Sequence, residues 1–438
     1  MQARMQMQPE AVPLIAEDTG PRWHPARRAA FRFVFSYLVL YIIPFPIEYL
    51  PFSGSLIQQY TNLWQAIVPW VGKHVLRLSY DITVFQNGSG DTTYNYVQVL
   101  CFLALAVAAT AIWSMLDRRR QSYDRLYQWL RLYVRFSLAS AMIGYGAFKI
   151  IPLQMPAPFF TRLIEPYGDS SPMGLLWTFI GASTSFQIFT GSAEMLGGLL
   201  LILPRTTMLG ALVCLADTIL IFVLNMSYDV PVKLYSFHLL LMSVFLLAPD
   251  LKRLTNLFLF NRGVEAARLP QLFQRKLLNR GALALQILLG LYIIGSSFYA
   301  SYKQFKVRAA KPPLYGLWSV DEFSTDGQVQ PPLLTDTARW RRVMFQFPGA
   351  LTVQPMSGPN QQFRLDLNME SKSLSIVKRD DPNWKAEFSF EEVDTGLITL
   401  DGQLEGRRTK AKLVRFDENE FLLKNRGFHW VQEFPFNR

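Results

Sequence analysis

Glu194 has the most chemistry to offer, because it stands alone inside an apolar run, QIFTGSAEMLGGLLLIL, over residues 187–203. On a helix, Gln187, Gly191, Glu194 and Gly198 follow at steps of four, three and four, so the polar and small residues share one face. That face must turn inward. A carboxylate at bilayer depth costs roughly 2.5–3.5 kcal/mol on insertion scales unless a cation or hydrogen-bond donor meets it. Upstream, the segment LRLYVRFSLASAMIGYGAFKIIP supplies Arg135, Met142, Tyr145 and Lys149 at steps of seven, three and four. They are expected on one helix face, with about 21 Å between Arg135 and Lys149. Lys149 and Glu194 are expected to form a buried ion pair, Arg135 to support it from the inner end, and Tyr145 and Gln187 to line the same polar pocket.

Two more titratable residues join the set. Asp217 is a second carboxylate at depth, on a face with Gly210 and Cys214, and His238 lies about a turn and a half beyond Lys233, with Tyr235 at i−3. Together with the ion pair they suit holding a polar headgroup or passing protons, with His238 or Asp217 exchanging them. Blander readings stand beside these. Arg135 and Lys149 can snorkel to headgroups, and a lone His on an apolar helix is more often a hydrogen-bonded structural residue. Cys101 and Cys214 sit in apolar runs without a C-x-x-C, and the four His lack ligand spacing, so neither a dithiol nor a metal site is expected.

The elements that must position these residues are mostly membrane helices. Half of the 438 residues are hydrophobic, 33 are Phe and 18% are charged, so a membrane part plus a polar part is expected. The excess of 44 Lys+Arg over 33 Asp+Glu falls largely in short segments beside apolar runs. That is the positive-inside pattern and points to a lipid bilayer, not to nucleic acid. Seven spans are expected, near 31–43, 94–116, 132–151, 187–203, 208–224, 234–247 and 281–300, with the N-terminus in the cytoplasm. A cytoplasmic tail (1–29), two spans with an outer interfacial segment (30–129), a four-helix core (130–254), an amphipathic cytoplasmic linker (255–280) and a last span (281–300) complete the organisation. The expected setting is the bacterial inner membrane.

In an expected β domain over residues 312–438 the period changes to two from Tyr315, as in Val343-Phe345-Phe347, Phe363-Leu365-Leu367, Phe388-Phe390 and Phe421-Leu423. Turn signals such as STDG, SGPN and RDDPN separate about eight to ten strands, which suits an all-β antiparallel barrel or sandwich outside the membrane. Gly316-Leu317-Trp318 resembles the G-x-W opening of lipocalin-type barrels, although a core Trp on the first strand explains it as well. The ending, RGFHWVQEFPFNR, groups aromatics around Arg426, His429 and Arg438, as a barrel floor or a docking surface.

The order R-GYGAFK, a Pro-rich loop, then GSAEMLGGLLLILPRTT and another apolar span resembles the DoxX/DoxD-like membrane proteins over residues 130–254. The resemblance implies a four-helix core in which Arg135, Lys149, Glu194, Gly197 and Gly198 match the family's motif. It also implies an intramembrane pocket for a quinone or other amphipathic small molecule, in a subunit of a quinone-linked oxidoreductase that needs a partner redox subunit. The chain departs from the family by its β domain, its extra spans and its lack of paired thiols. A non-enzymatic scaffold, whose β domain binds a protein partner or hydrophobic ligand, is the alternative.

Overall fold

A computed structural model describes residues 22–85, 87–266, 271–381 and 383–437; the first 21 residues of the expected tail, and Arg438, lie outside them. The helices are α1 (Pro25–Ile42), α2 (Gly54–His74), α3 (Thr93–Leu116), α4 (Asp124–Ile150), α5 (Phe160–Leu163), α6 (Pro172–Gly181), α7 (Thr184–Ile202), α8 (Thr207–Ser227), α9 (Lys233–Leu247), α10 (Leu251–Phe258), α11 (Lys276–Ala309) and α12 (Leu422–Asn425). Among the described residues, six helical stretches are long and apolar enough to cross a membrane, those of α1, α3, α7, α8, α9 and α11. The seventh expected span is α4. Its 27 residues give ample length, but with Arg131, Arg135 and Lys149 in it, composition alone leaves it outside that set. The chain is a multi-pass membrane protein with a β-barrel domain.

The helix starts follow local chemistry. Thr92 and Asn95 form a capping box before α3, and Ser171 caps α6, whose first residue is Pro172. The start of α9 is capped from far away, because Asp91 accepts from the backbone N–H groups of Lys233 (2.8 Å) and Leu234 (2.9 Å).

The chain divides into two compact units. One takes the residues to Ser140 with Leu200–Phe222 and Pro231–Leu288; the other takes Ala141–Leu199, Val223–Val230 and the chain from Leu289. In the first, Arg32 of α1 is buried and donates to the Tyr123 hydroxyl, to Ser114 Oγ and to the Asp117 carbonyl, tying α1 to the end of α3 and the start of α4. In the second, α4 packs on α7, and the loop after α4 meets the barrel. Arg308 at the end of α11 donates to Leu153 O (2.9 Å), and Phe160 packs with Leu317 and Met344 while its N–H donates to Gln346 Oε1 (3.1 Å).

The barrel strands are β1 (Gly316–Thr325), β2 (Gln328–Val329), β3 (Trp340–Phe347), β4 (Ala350–Pro355), β5 (Gln361–Asn368), β6 (Ser373–Lys378), β7 (Lys385–Asp394), β8 (Leu397–Leu404) and β9 (Arg407–Arg415). From β3 onward each pairs antiparallel with the next, and β1 pairs with both β3 and β9, which closes eight strands into a barrel; β2 is a two-residue flap on β1. Closure removes the sandwich alternative and leaves no long edge. The alternating residues Phe363 and Leu365, Phe388 and Phe390, and Ile398 and Leu400 point inward with Trp318 and Trp340 and fill the interior, as eight strands allow. Trp318 is thus a core residue. Phe421-Leu423, expected as strand, is helical instead: Asp417 caps the preceding turn at Asn419 N, and Lys424 pairs with Glu418.

At Gly402 on β8 a Cβ would lie 2.1 Å from Glu387 O and 2.7 Å from Phe388 Cα, backbone atoms that cannot move aside. Gly402→Ala is expected to lower barrel stability by about 2 kcal/mol, read as a lower unfolding midpoint of the full chain in detergent. Next to it, Asp401 accepts from Arg408 (3.1 Å) and Lys410 (2.8 Å), which hold its carboxyl below the usual range. A lowered carboxyl stabilises the folded state above the unfolded pKa and loses that contribution as pH falls through the folded one. The midpoint should therefore drop below about pH 4, less steeply in Asp401→Asn and in high salt.

Candidate functional site

The inward face of α7 is the one its spacing demands. Gln187, Gly191, Glu194, Met195, Gly198 and Leu201 are buried, while Ile188, Phe189, Leu196 and Leu199 are exposed. Glycine lets α4 approach that face. A Cβ at Gly191 would lie 2.6 Å from Lys149 Cβ and 2.9 Å from Gly146 O, and one at Gly146 would lie 2.8 Å from Gly191 O. The two backbones therefore touch, as small residues permit between membrane helices. Close approach brings Lys149 Nζ into direct contact with Glu194 Oε1, with side-chain exposures of 9% and 4%.

The pair is not saturated. Glu194 Oε2 and Gln187 Nε2 are both buried and have no hydrogen-bond partner among the described residues, although Gln187 is only 1% exposed. Seven residues separate them on one face, about 10 Å along the helix. Met142 is 1% exposed and Tyr145 is 38% exposed, yet Tyr145 holds its hydroxyl close enough to Glu194 to feel that carboxylate's charge. At 100° per residue it lies about 40° from Lys149 and about 60° from Met142, at the edge of the buried stripe.

Arg135, in the first unit, is 6% exposed and meets no carboxylate. It donates to Thr207 Oγ1 (3.3 Å) and to Gln286 Oε1, and its Nε has no partner. Gln286 was the signal to notice, a single amide in the apolar run of α11. Asp217 is half-buried on α8.

His238 is 3% exposed. Its Nδ1 lies 2.6 Å from Leu234 O, which can only accept, so Nδ1 carries the proton and Nε2 accepts from the Tyr37 hydroxyl at 2.5 Å. The imidazole also stacks on Tyr41, with centroids 3.8 Å apart and planes 7° from parallel. Both ring nitrogens are hydrogen-bonded, and through them His238 joins α9 to α1. The Tyr37 partner, 201 residues away, has no local signal.

Cys101 and Cys214 are both buried, and neither is in a disulfide. Among the described residues no group of three His, Cys, Asp or Glu is placed to hold a metal.

Tyr37→Phe leaves His238 Nε2 buried without a donor and is expected to cost about 1–3 kcal/mol. The double variant Tyr37→Phe/His238→Phe should be no less stable than the worse single variant, as a thermal unfolding cycle in detergent would show.

No family model matches the chain, and no solved structure matches it. A stretch of 124 residues, 28% of this chain and 79% of the relative, is 33% identical to the uncharacterized protein YwoB of Bacillus subtilis (strain 168). By that extent of likeness the chain belongs to the same family as YwoB.

Proposed function

We propose that this is a bacterial inner-membrane protein of DoxX-like type, in which the α4–α7 face around Glu194 receives the polar head of an amphipathic small molecule of quinone class. The observation that carries this reading is the pair of uncommitted buried atoms, Glu194 Oε2 and Gln187 Nε2. A buried donor or acceptor without a partner costs about 1–3 kcal/mol, so two on one face favour an occupant that satisfies them. A quinone carbonyl accepts from the Gln187 amide, and a quinol hydroxyl donates to the Glu194 carboxylate. Lys149 fixes the carboxylate's charge and position. The chain offers no haem, flavin or nucleotide motif, so electrons would come from a partner redox subunit.

In this reading the loop with Arg118, Arg119, Arg120 and Arg125 faces the cytoplasm and the barrel lies outside. The barrel caps the loop after α4 or carries the partner.

A scaffold reading is favoured by a different observation. The backbone contact at Gly146 and Gly191 and the docking of Phe160 on Leu317 and Met344 make the ion pair a brace for the barrel. Mass spectrometry of organic extracts from detergent-purified protein separates the two. A quinone retained in stoichiometric amount by the original chain, and lost from folded Glu194→Gln and Gln187→Leu, is the expected result. No enriched small molecule in any of the three would leave the scaffold.

A further inference from the structure

Arg135 does more than stabilise its own helix. In the first unit it lines a cavity of about 960 Å³ together with Arg131, Arg205, Lys252 and Arg253. Three acids, Asp124, Asp250 and Glu265, share the lining with these five cations; Asp250 pairs with Arg253 (2.6 Å), and Asp124 keeps its charge while accepting from Trp23 Nε1 (3.1 Å). Glu265 is exposed at the rim. The cavity therefore carries positive charge that its own carboxylates do not neutralise.

The deepest cation is also the least compensated. Arg135 is more than nine-tenths buried, both its partners are neutral, and its Nε–H points to no acceptor. Its partners are in turn held: the Thr207 hydroxyl donates to Leu203 O (3.1 Å) and Gln286 Nε2 to Ala282 O (3.0 Å). A buried guanidinium that keeps an N–H without an acceptor and has only neutral partners is stabilised by an anion that can reach it. Its planar fork of donors suits an oxyanion, and above all a phosphate.

Volume and surroundings decide which phosphate. The cavity is far larger than one inorganic ion. Beside it, α10 and the residues after it send Lys252 and Arg253 to the lining while Leu257, Phe258, Leu259 and Phe260 stay exposed. An apolar flank beside basic residues is the pattern of a segment lying in a lipid interface.

We propose that this cavity binds the phosphate head of an anionic amphiphile, with Arg135 at its floor, Arg131 beside it, Arg205 and Lys252 at the exposed rim, and the apolar tail along the α10 flank. The proposal is independent of the reading of Glu194.

The test is thermal stabilisation of the purified full chain in detergent, titrated with dihexanoyl phosphatidic acid, dihexanoyl phosphatidylcholine or inorganic phosphate. Saturable stabilisation by the phosphatidic acid alone is expected, weakened about ten-fold or more in Arg135→Met and partly restored in Arg135→Lys. Should Arg135→Met fail to fold, Arg205→Gln and Lys252→Gln serve, since both side chains are exposed, and each is expected to weaken binding about three-fold. Equal stabilisation by inorganic phosphate would overturn the amphiphile and leave a free anion. Equal stabilisation by phosphatidylcholine, or the same response in all variants, would overturn the site.

Discussion

An ammonium and a carboxylate can remain charged in hydrocarbon only when they touch, and this requirement reaches from Lys149 and Glu194 through the whole second unit. Around this pair the two backbones come closer than ordinary side chains allow. Gly146 and Gly191 supply that approach, each occupying space where a Cβ would collide with the other helix. With α4 and α7 locked at that distance, the end of α4 is fixed, and so is the loop that follows. Leu153 O then accepts from Arg308, and Phe160 reaches the barrel through Gln346, Leu317 and Met344. The position of the barrel's first strands thus follows from the close approach of α4 and α7.

The first unit meets the same constraint with neutral groups. Arg32 is surrounded by Tyr123, Ser114 and a carbonyl, Arg135 by Thr207 and Gln286, and His238 by Tyr37 and Leu234 O. The solutions differ in completeness. All three nitrogens of Arg32 donate to acceptors, and the Tyr123 hydroxyl in turn donates to Asp117 Oδ2 (2.9 Å), so the Arg32 charge meets a carboxylate at one remove. Arg135 has no such relay, which is why its cavity asks for an anion from outside.

Sequence patterns made the local part of this structure legible. Apolar runs located the spans, the period of two located the strands, and the steps between Gln187, Gly191, Glu194 and Gly198 named the buried face of α7, because these signals repeat within one element. Pairings between distant elements left no trace. Asp91 capping α9, Tyr37 meeting His238 and β1 closing on β9 join residues 84 or more positions apart, where no periodicity operates. Tyr145 shows a finer limit. Steps of three and four define a stripe of finite width, and a residue at its edge is part exposed while still reaching the buried carboxylate. Phe421-Leu423 alternates like a strand, but the side chain of Asp417 hands the chain a turn first.

Whether the Lys149–Glu194 pair is brace or binding site turns on the second carboxylate oxygen. A brace alone is best made when every lone pair is used, as when a guanidinium fork meets both oxygens of a carboxylate. Lysine offers three donors, yet only Oε1 is engaged, and Oε2 stays buried, as does the unpartnered Nε2 of Gln187 about two turns away. Replacing the pair by apolar residues of similar size would hold α4 to α7 as well and leave nothing unsatisfied. The glycine contacts already bring the helices together without it. An ion pair kept in such a place, with half its acceptor capacity open, is better suited to a polar group arriving from outside the chain than to packing alone.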